Sequence, residues 1–105
     1  MPIYNDKKYD CPFDCFIDII KGEWRTSILL ALRDRPCYFM ELVHGLKGIS
    51  PKVLTENLQV MERNHIVQLK VYPTVPPKVE YSLTVQGKEL IKVMDGINGY
   101  VSTWF

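Results

Sequence analysis

Between Ser50 and Leu83 the spacing of apolar residues changes once, from the helical period to the alternation of a strand, and this switch constrains the fold more than any other feature of the chain. Ser50 stands directly before Pro51, a pairing that marks a helix start. The serine can serve as N-cap, and proline is favoured at the first helical position because its missing N–H would be unpaired there anyway. Val53, Leu54, Leu58 and Met61 form a core stripe, and the helix is expected to end around Asn64-His65, residue types that tolerate the left-handed conformation better than most. From Ile66 to Tyr72, and again from Val79 to Leu83, apolar and polar residues alternate as in two strands. The intervening Pro73-Thr74-Val75-Pro76-Pro77 cannot donate most of its backbone hydrogen bonds and is expected to form a stiff loop joining an antiparallel pair.

Upstream, Phe13, Phe16, Ile17 and Ile20 recur at three and four, with Asp10 or Cys11 as N-cap and Pro12 in the first turn, which predicts a first helix to Lys21. Gly22 punctuates it. Trp24, Ile28, Leu29 and Leu32 mark a second helix stopped by Asp34-Arg35-Pro36, and Phe39, Leu42, Val43 and Leu46 a short third one closed by Gly48 or its neighbour. After the strands, Thr84 caps a last helix with Leu90, Ile91, Met94, Ile97, Val101 and Trp104 on one broad face, weakened by Gly96 and Gly99.

Helices joined by a tight turn and followed by a hairpin with a long tip predict a mainly α fold with a small antiparallel β-hairpin, a winged helix-turn-helix. The reader helix would run from Ser50 to Arg63. Its core stripe removed, Lys52, Thr55, Glu56, Gln59 and Arg63 share one exposed face. A helix roughly 20 Å long fits a major groove about 12 Å wide. An isolated amphipathic helix would carry such a stripe merely as its solvated side; the surrounding order of elements makes it a candidate DNA-reading face. Ser50, Lys52 and Thr55 lie at the helix N-terminus, which suits phosphate or base-edge contact. Glu56 would repel phosphate unless it accepts from a cytosine amino group, whereas Gln59 can pair with adenine and Arg63 can reach guanine or backbone. Lys78, beyond the loop, is a candidate phosphate contact, and Lys70 a weaker one.

The chain has 105 residues, a size for one domain, and nothing in it marks an interdomain boundary. Thirteen Lys and Arg against twelve Asp and Glu leave a net charge of +1, so any basic surface must be local. No apolar run approaches the ~20 residues that span a bilayer, and Met1 to Asp10 lacks the apolar stretch of a signal peptide, so a cytoplasmic protein with no membrane partner is expected. Cys11, Cys15 and Cys37 are odd in number and show no disulfide spacing, so thiols are expected. Cys15 and Cys37 are best explained as small buried hydrophobes. Cys11 begins a helix, where unpaired amides and the helix dipole stabilise an anion, which makes it a candidate redox-sensing thiol. Cys11, Cys15, Cys37 and His44 match no zinc signature, and no metal or other cofactor is expected. Catalysis is not expected either: there is no Gly-rich phosphate loop, metalloprotease His-Glu pair or nucleophile motif.

Cys11-Pro12, Gly22-Glu23-Trp24, Phe39-Met40-Glu41-Leu42, the run from Gly48 to Thr55 and the run from Tyr72 to Thr84 together resemble the HxlR-type regulators, a branch of the MarR-like winged-helix proteins. The resemblance covers almost the whole chain after the first ten residues, giving residues 1–10 as an N-terminal arm and 11–105 as the winged helix-turn-helix domain with its dimerisation helix. It implies a homodimer that binds inverted-repeat operator DNA and regulates transcription, with the terminal helices at the interface. It also brings in a small electrophile or oxidant as effector, since some members look like thiol sensors that use a cysteine at the position of Cys11. Two residues depart from the pattern: Glu23 stands where a Lys commonly precedes the Trp, and His65 where a Gly usually ends the reader helix, which implies mild backbone strain or a shifted helix end. Beside the resemblance, Ile97, Tyr100, Val101, Trp104 and Phe105 offer more apolar surface than a small monomer comfortably exposes, and with Phe13 they are the candidate dimer interface. The alternative is a winged-helix protein-interaction module without DNA binding, which near-neutral charge and Glu56 favour.

Overall fold

The computed structural model describes residues 10–105 and the backbone of residues 3–4 and 7–8. In chain order, the short strands β1 (Ile3–Tyr4) and β2 (Lys7–Lys8) pair antiparallel within the expected arm, the rest of which, save residue 10, lies outside the described residues. Helices α1 (Pro12–Ile20) and α2 (Arg25–Ala31) follow, then strand β3 (Cys37–Tyr38), α3 (Phe39–Gly45), α4 (Pro51–Arg63), β4 (Val67–Tyr72), β5 (Lys78–Leu83) and α5 (Val85–Val101), which runs into a 3-10 turn at Ser102–Trp104. The sheet order is β3-β5-β4, antiparallel throughout, with Val67 opposite Leu83 and Tyr72 opposite Lys78. This is a winged helix-turn-helix, mostly helical with a small hairpin.

The ends of α4 show why these residues form it. The Ser50 hydroxyl accepts the Val53 amide at 3.1 Å and Pro51 occupies the first turn. At the other end the Ile66 amide donates to the Met61 carbonyl (2.9 Å) and the His65 amide to the Glu62 carbonyl (3.0 Å), the paired bonds of a Schellman motif. His65 holds the left-handed position at φ 61°, so the missing glycine produces strain at a fixed helix end rather than a shifted end. Gly48 (φ 92°) makes the turn between α3 and α4.

Three expectations need correction. Cys37–Tyr38 forms a strand against Tyr81 and Glu80, so the hairpin has a third neighbour. Helix α3 ends at Gly45, with Leu46 rather than Gly48 as its cap, and α2 begins at Arg25 with Trp24 as N-cap. The core is one cluster in which Ile28 and Leu29 of α2 meet Leu42 of α3, Leu54, Leu58 and Met61 of α4, Val67 and Leu83 of the hairpin and Ile91 of α5. Burying this side of α4 turns its opposite side to solvent. Among the described residues no helix is long and apolar enough to cross a membrane.

Candidate nucleic-acid interface

Lys52, Thr55, Glu56, Gln59 and Arg63 are all exposed, and among the described residues their side chains have no partner. Each is therefore available to a ligand. Ser50 is exposed as well, but its hydroxyl is engaged at the Val53 amide, so its role begins with shaping the helix start. The Leu54 amide donates to the Ser50 carbonyl at 2.9 Å and Pro51 has no N–H, which leaves the Lys52 amide as a first-turn donor beside its own ammonium.

The hairpin contributes a second cationic element. Tyr38 and Tyr72 meet edge to face with centroids 6.2 Å apart, and the Tyr72 hydroxyl donates to Glu80 at 3.2 Å. Lys70 lies 4.9 Å from the Tyr72 ring and Lys78 5.5 Å from the Tyr38 ring, both in cation–π range. The strand register puts Lys70 opposite Glu80 and Lys78 opposite Tyr72, so both lysines share one hairpin face. The loop at its tip is braced by Thr74, whose hydroxyl donates to the Pro76 carbonyl at 2.8 Å.

Two residues outside the sequence-based candidates hold α4 in place. Arg25 donates from Nε to the Asn57 Oδ1 at 3.1 Å and from Nη1 to the Ile19 carbonyl at 2.7 Å, joining α2, α4 and α1. An Asn between Val53, Leu54 and Leu58 was the one local signal of this contact, since it interrupts the apolar edge of the helix.

On α1, Cys11 is exposed at the N-cap, its side chain making no cap bond, while Cys15 one turn later is buried. Cys37 is buried too; its thiol donates to the Ala31 and Arg35 carbonyls, both at 3.7 Å, and burial pushes its pKa up. A cleft of about 350 Å³ between α1 and α5 is lined by Cys15, Phe16, Leu90 and Val93, so the thiol beside it is Cys15, not Cys11. Phe13 on α1 and Ile97, Tyr100, Trp104 and Phe105 at the chain end are exposed, whereas Val101 is half-buried. Tyr100 and Trp104 stack edge to face at 5.7 Å.

The family model for the HxlR-like helix-turn-helix matches residues 19–105. An HTH-type transcriptional regulator of Methanothermobacter thermautotrophicus is 34% identical over 92 residues, which span 88% of this chain and 70% of that protein. Among solved structures, a protein described as a MarR-family transcriptional regulator from Porphyromonas gingivalis W83 superposes with TM-score 0.80 at 31% identity, covering 91% of this chain and 94% of the other. The redox regulator HypR in its reduced form gives TM-score 0.80 at 31% identity over 89% and 92% of the two chains.

Proposed function

Since this chain belongs to the HxlR-like helix-turn-helix family of transcriptional regulators, we propose that it acts as a homodimer that sets two α4 helices into successive major grooves of an inverted-repeat operator in double-stranded DNA. The observation that carries this reading is the outer side of α4, where Lys52, Thr55, Glu56, Gln59 and Arg63 are exposed and, among the described residues, unpartnered. Lys52 with its amide holds a phosphate, Gln59 and Arg63 read bases, and Thr55 and Glu56 contact base edges. Ser50 fixes the helix start at the backbone. Lys78 lies along a flanking phosphate. The apolar residues Phe13, Ile97, Tyr100, Trp104 and Phe105, with the half-buried Val101, pack against a second copy, which sets the reader helices about one DNA turn, ~34 Å, apart. Cys11, exposed at the head of α1, is the thiol that answers an oxidant or electrophile, a reading supported by the likeness to HypR.

The operator comes from selection of bound DNA out of a random pool, run with reduced and oxidised protein. Lys52→Ala and Arg63→Ala are then titrated against it. A base contact is worth ~1–3 kcal/mol, and loss of a phosphate contact lowers the salt dependence of binding by about one unit. If neither quantity moves in either variant, α4 is not the reading element. Sedimentation at micromolar concentration tests the dimer, and a monomeric mass refutes it. Failure to select any sequence at low salt would favour an interaction module instead.

A further inference from the structure

Arg25 is the first residue of α2, and its guanidinium sits half-buried where three helices meet. One edge faces the last turn of α1: Nη1 donates to the Ile19 carbonyl at 2.7 Å and to the Asp18 carbonyl at 3.3 Å. Carbonyls in a final helical turn have no donor within their own helix, and a cation there also complements the helix dipole. From the same fork, Nε donates to the Asn57 Oδ1 at 3.1 Å. Asn57 in turn donates from Nδ2 to the Val53 carbonyl, one turn earlier in α4, at 2.8 Å. Both ends of that amide are thereby committed, so its oxygen is held facing Arg25. A planar guanidinium keeps its donors at fixed angles, which a flexible ammonium does not.

We infer that Arg25 and Asn57 are a positioning pair that fixes the rotation of the reader helix against α1 and thereby sets operator selectivity. The inference rests on α4 being the DNA-reading element. The consequence is specific, because Asn57 lies on the flank of α4 between its buried residues and its outer face. Releasing it lets the helix turn or slide without removing any of Lys52, Gln59 or Arg63. Binding to arbitrary duplex depends on phosphate attraction and tolerates such a shift, whereas base contacts demand registry. The same fork ties the reader helix to the helix that begins at Cys11, so a displacement of α1 reaches α4 through these bonds.

The test compares Arg25→Lys, Asn57→Ala and the double variant, each shown by its denaturation curve to be fully folded at the assay temperature. Arg25→Lys keeps the charge, which separates positioning from direct phosphate attraction. Each single variant is expected to lose about tenfold or more in affinity for the selected operator, against less than about twofold for unrelated duplex. The double variant should be no worse than the poorer single one, because both remove the same link. Equal losses on operator and unrelated DNA, or losses that multiply in the double variant, would overturn the inference. A second readout needs no DNA: hydrogen exchange of the Val53 to Leu58 amides should quicken by about tenfold in both single variants, and unchanged exchange would also overturn it. If the unaltered protein selects no operator, the reading of α4 fails on its own, while the exchange measurement still decides whether the clamp exists.

Discussion

Gly87→Ala is expected to destabilise the chain by about 3 kcal/mol, although alanine is the better helix former. Gly87 lies in the first turn of α5, where a Cβ would stand 2.2 Å from the backbone carbonyl oxygen of Ile66 and 3.2 Å from the Leu83 side chain. Ordinary contact begins at 3.4 Å, so the helix start must retreat by about 1 Å. That start is tied down. Thr84 donates its amide to the Ile66 carbonyl at 3.1 Å and its hydroxyl to the His65 carbonyl at 2.6 Å, and the Gly87 amide donates to the Thr84 hydroxyl at 3.0 Å. Overpacking of this kind costs about 1–3 kcal/mol, and each bond stretched out of range about 1 more; the helical preference of alanine returns about 1. In urea, with a slope of about 2 kcal/mol/M, the midpoint should fall by about 1.5 M. Variant and parent are compared at one protein concentration, because self-association shifts apparent stability. Gly45→Ala is the control: it places a Cβ in open space at an ordinary helical φ and should raise stability by about 0.4–1 kcal/mol. A Gly87→Ala midpoint equal to or above that of the parent would show that the start of α5 accommodates the methyl group.

Other outcomes follow from the same geometry. His65→Gly relieves a left-handed side-chain residue and should stabilise by about 0.5–1 kcal/mol in the same urea assay, the strain relieved exceeding the added freedom of the unfolded chain. Ser50→Ala removes the acceptor of the Val53 amide and should lose about 1 kcal/mol, read as a lower thermal midpoint. The hydrogen bond from Arg33 holds Asp95 below the usual carboxylate range, and that from Arg35 does the same for Glu41. A carboxylate whose pKa is lowered by folding contributes stability above its unfolded value and loses it as pH falls through the folded one. Both contributions should therefore be present at neutral pH and disappear below about pH 4, and Arg33→Gln should flatten the acid side of a melting-temperature profile without changing its alkaline side.

Local chemistry made the frame legible. Ser50-Pro51 and Thr84 each mark a helix start within one turn, so α4 and α5 begin where expected. The alternation on either side of Pro73 to Pro77 gave the hairpin to within a residue at each strand. The outer side of α4 was equally accessible, because subtracting a core stripe from a helix leaves its exposed residues by elimination. Strand β3 escaped detection because two residues carry no period; Cys37 and Tyr38 become a strand only where β5 offers them a partner.

Neighbours within a few residues already set the helices, the two hairpin strands and the outward side chains of α4, whereas the two residues of β3 take their strand form from β5. It took packing to establish that Arg25 grips Asn57, that Arg33, just past the end of α2, pairs with Asp95 of α5, and that Gly87 must remain bare beneath the Ile66 carbonyl. Separation along the chain explains this. Those partners lie 32, 62 and about 20 residues apart along the chain, and no local preference encodes contacts that exist only once the helices have packed around their common core.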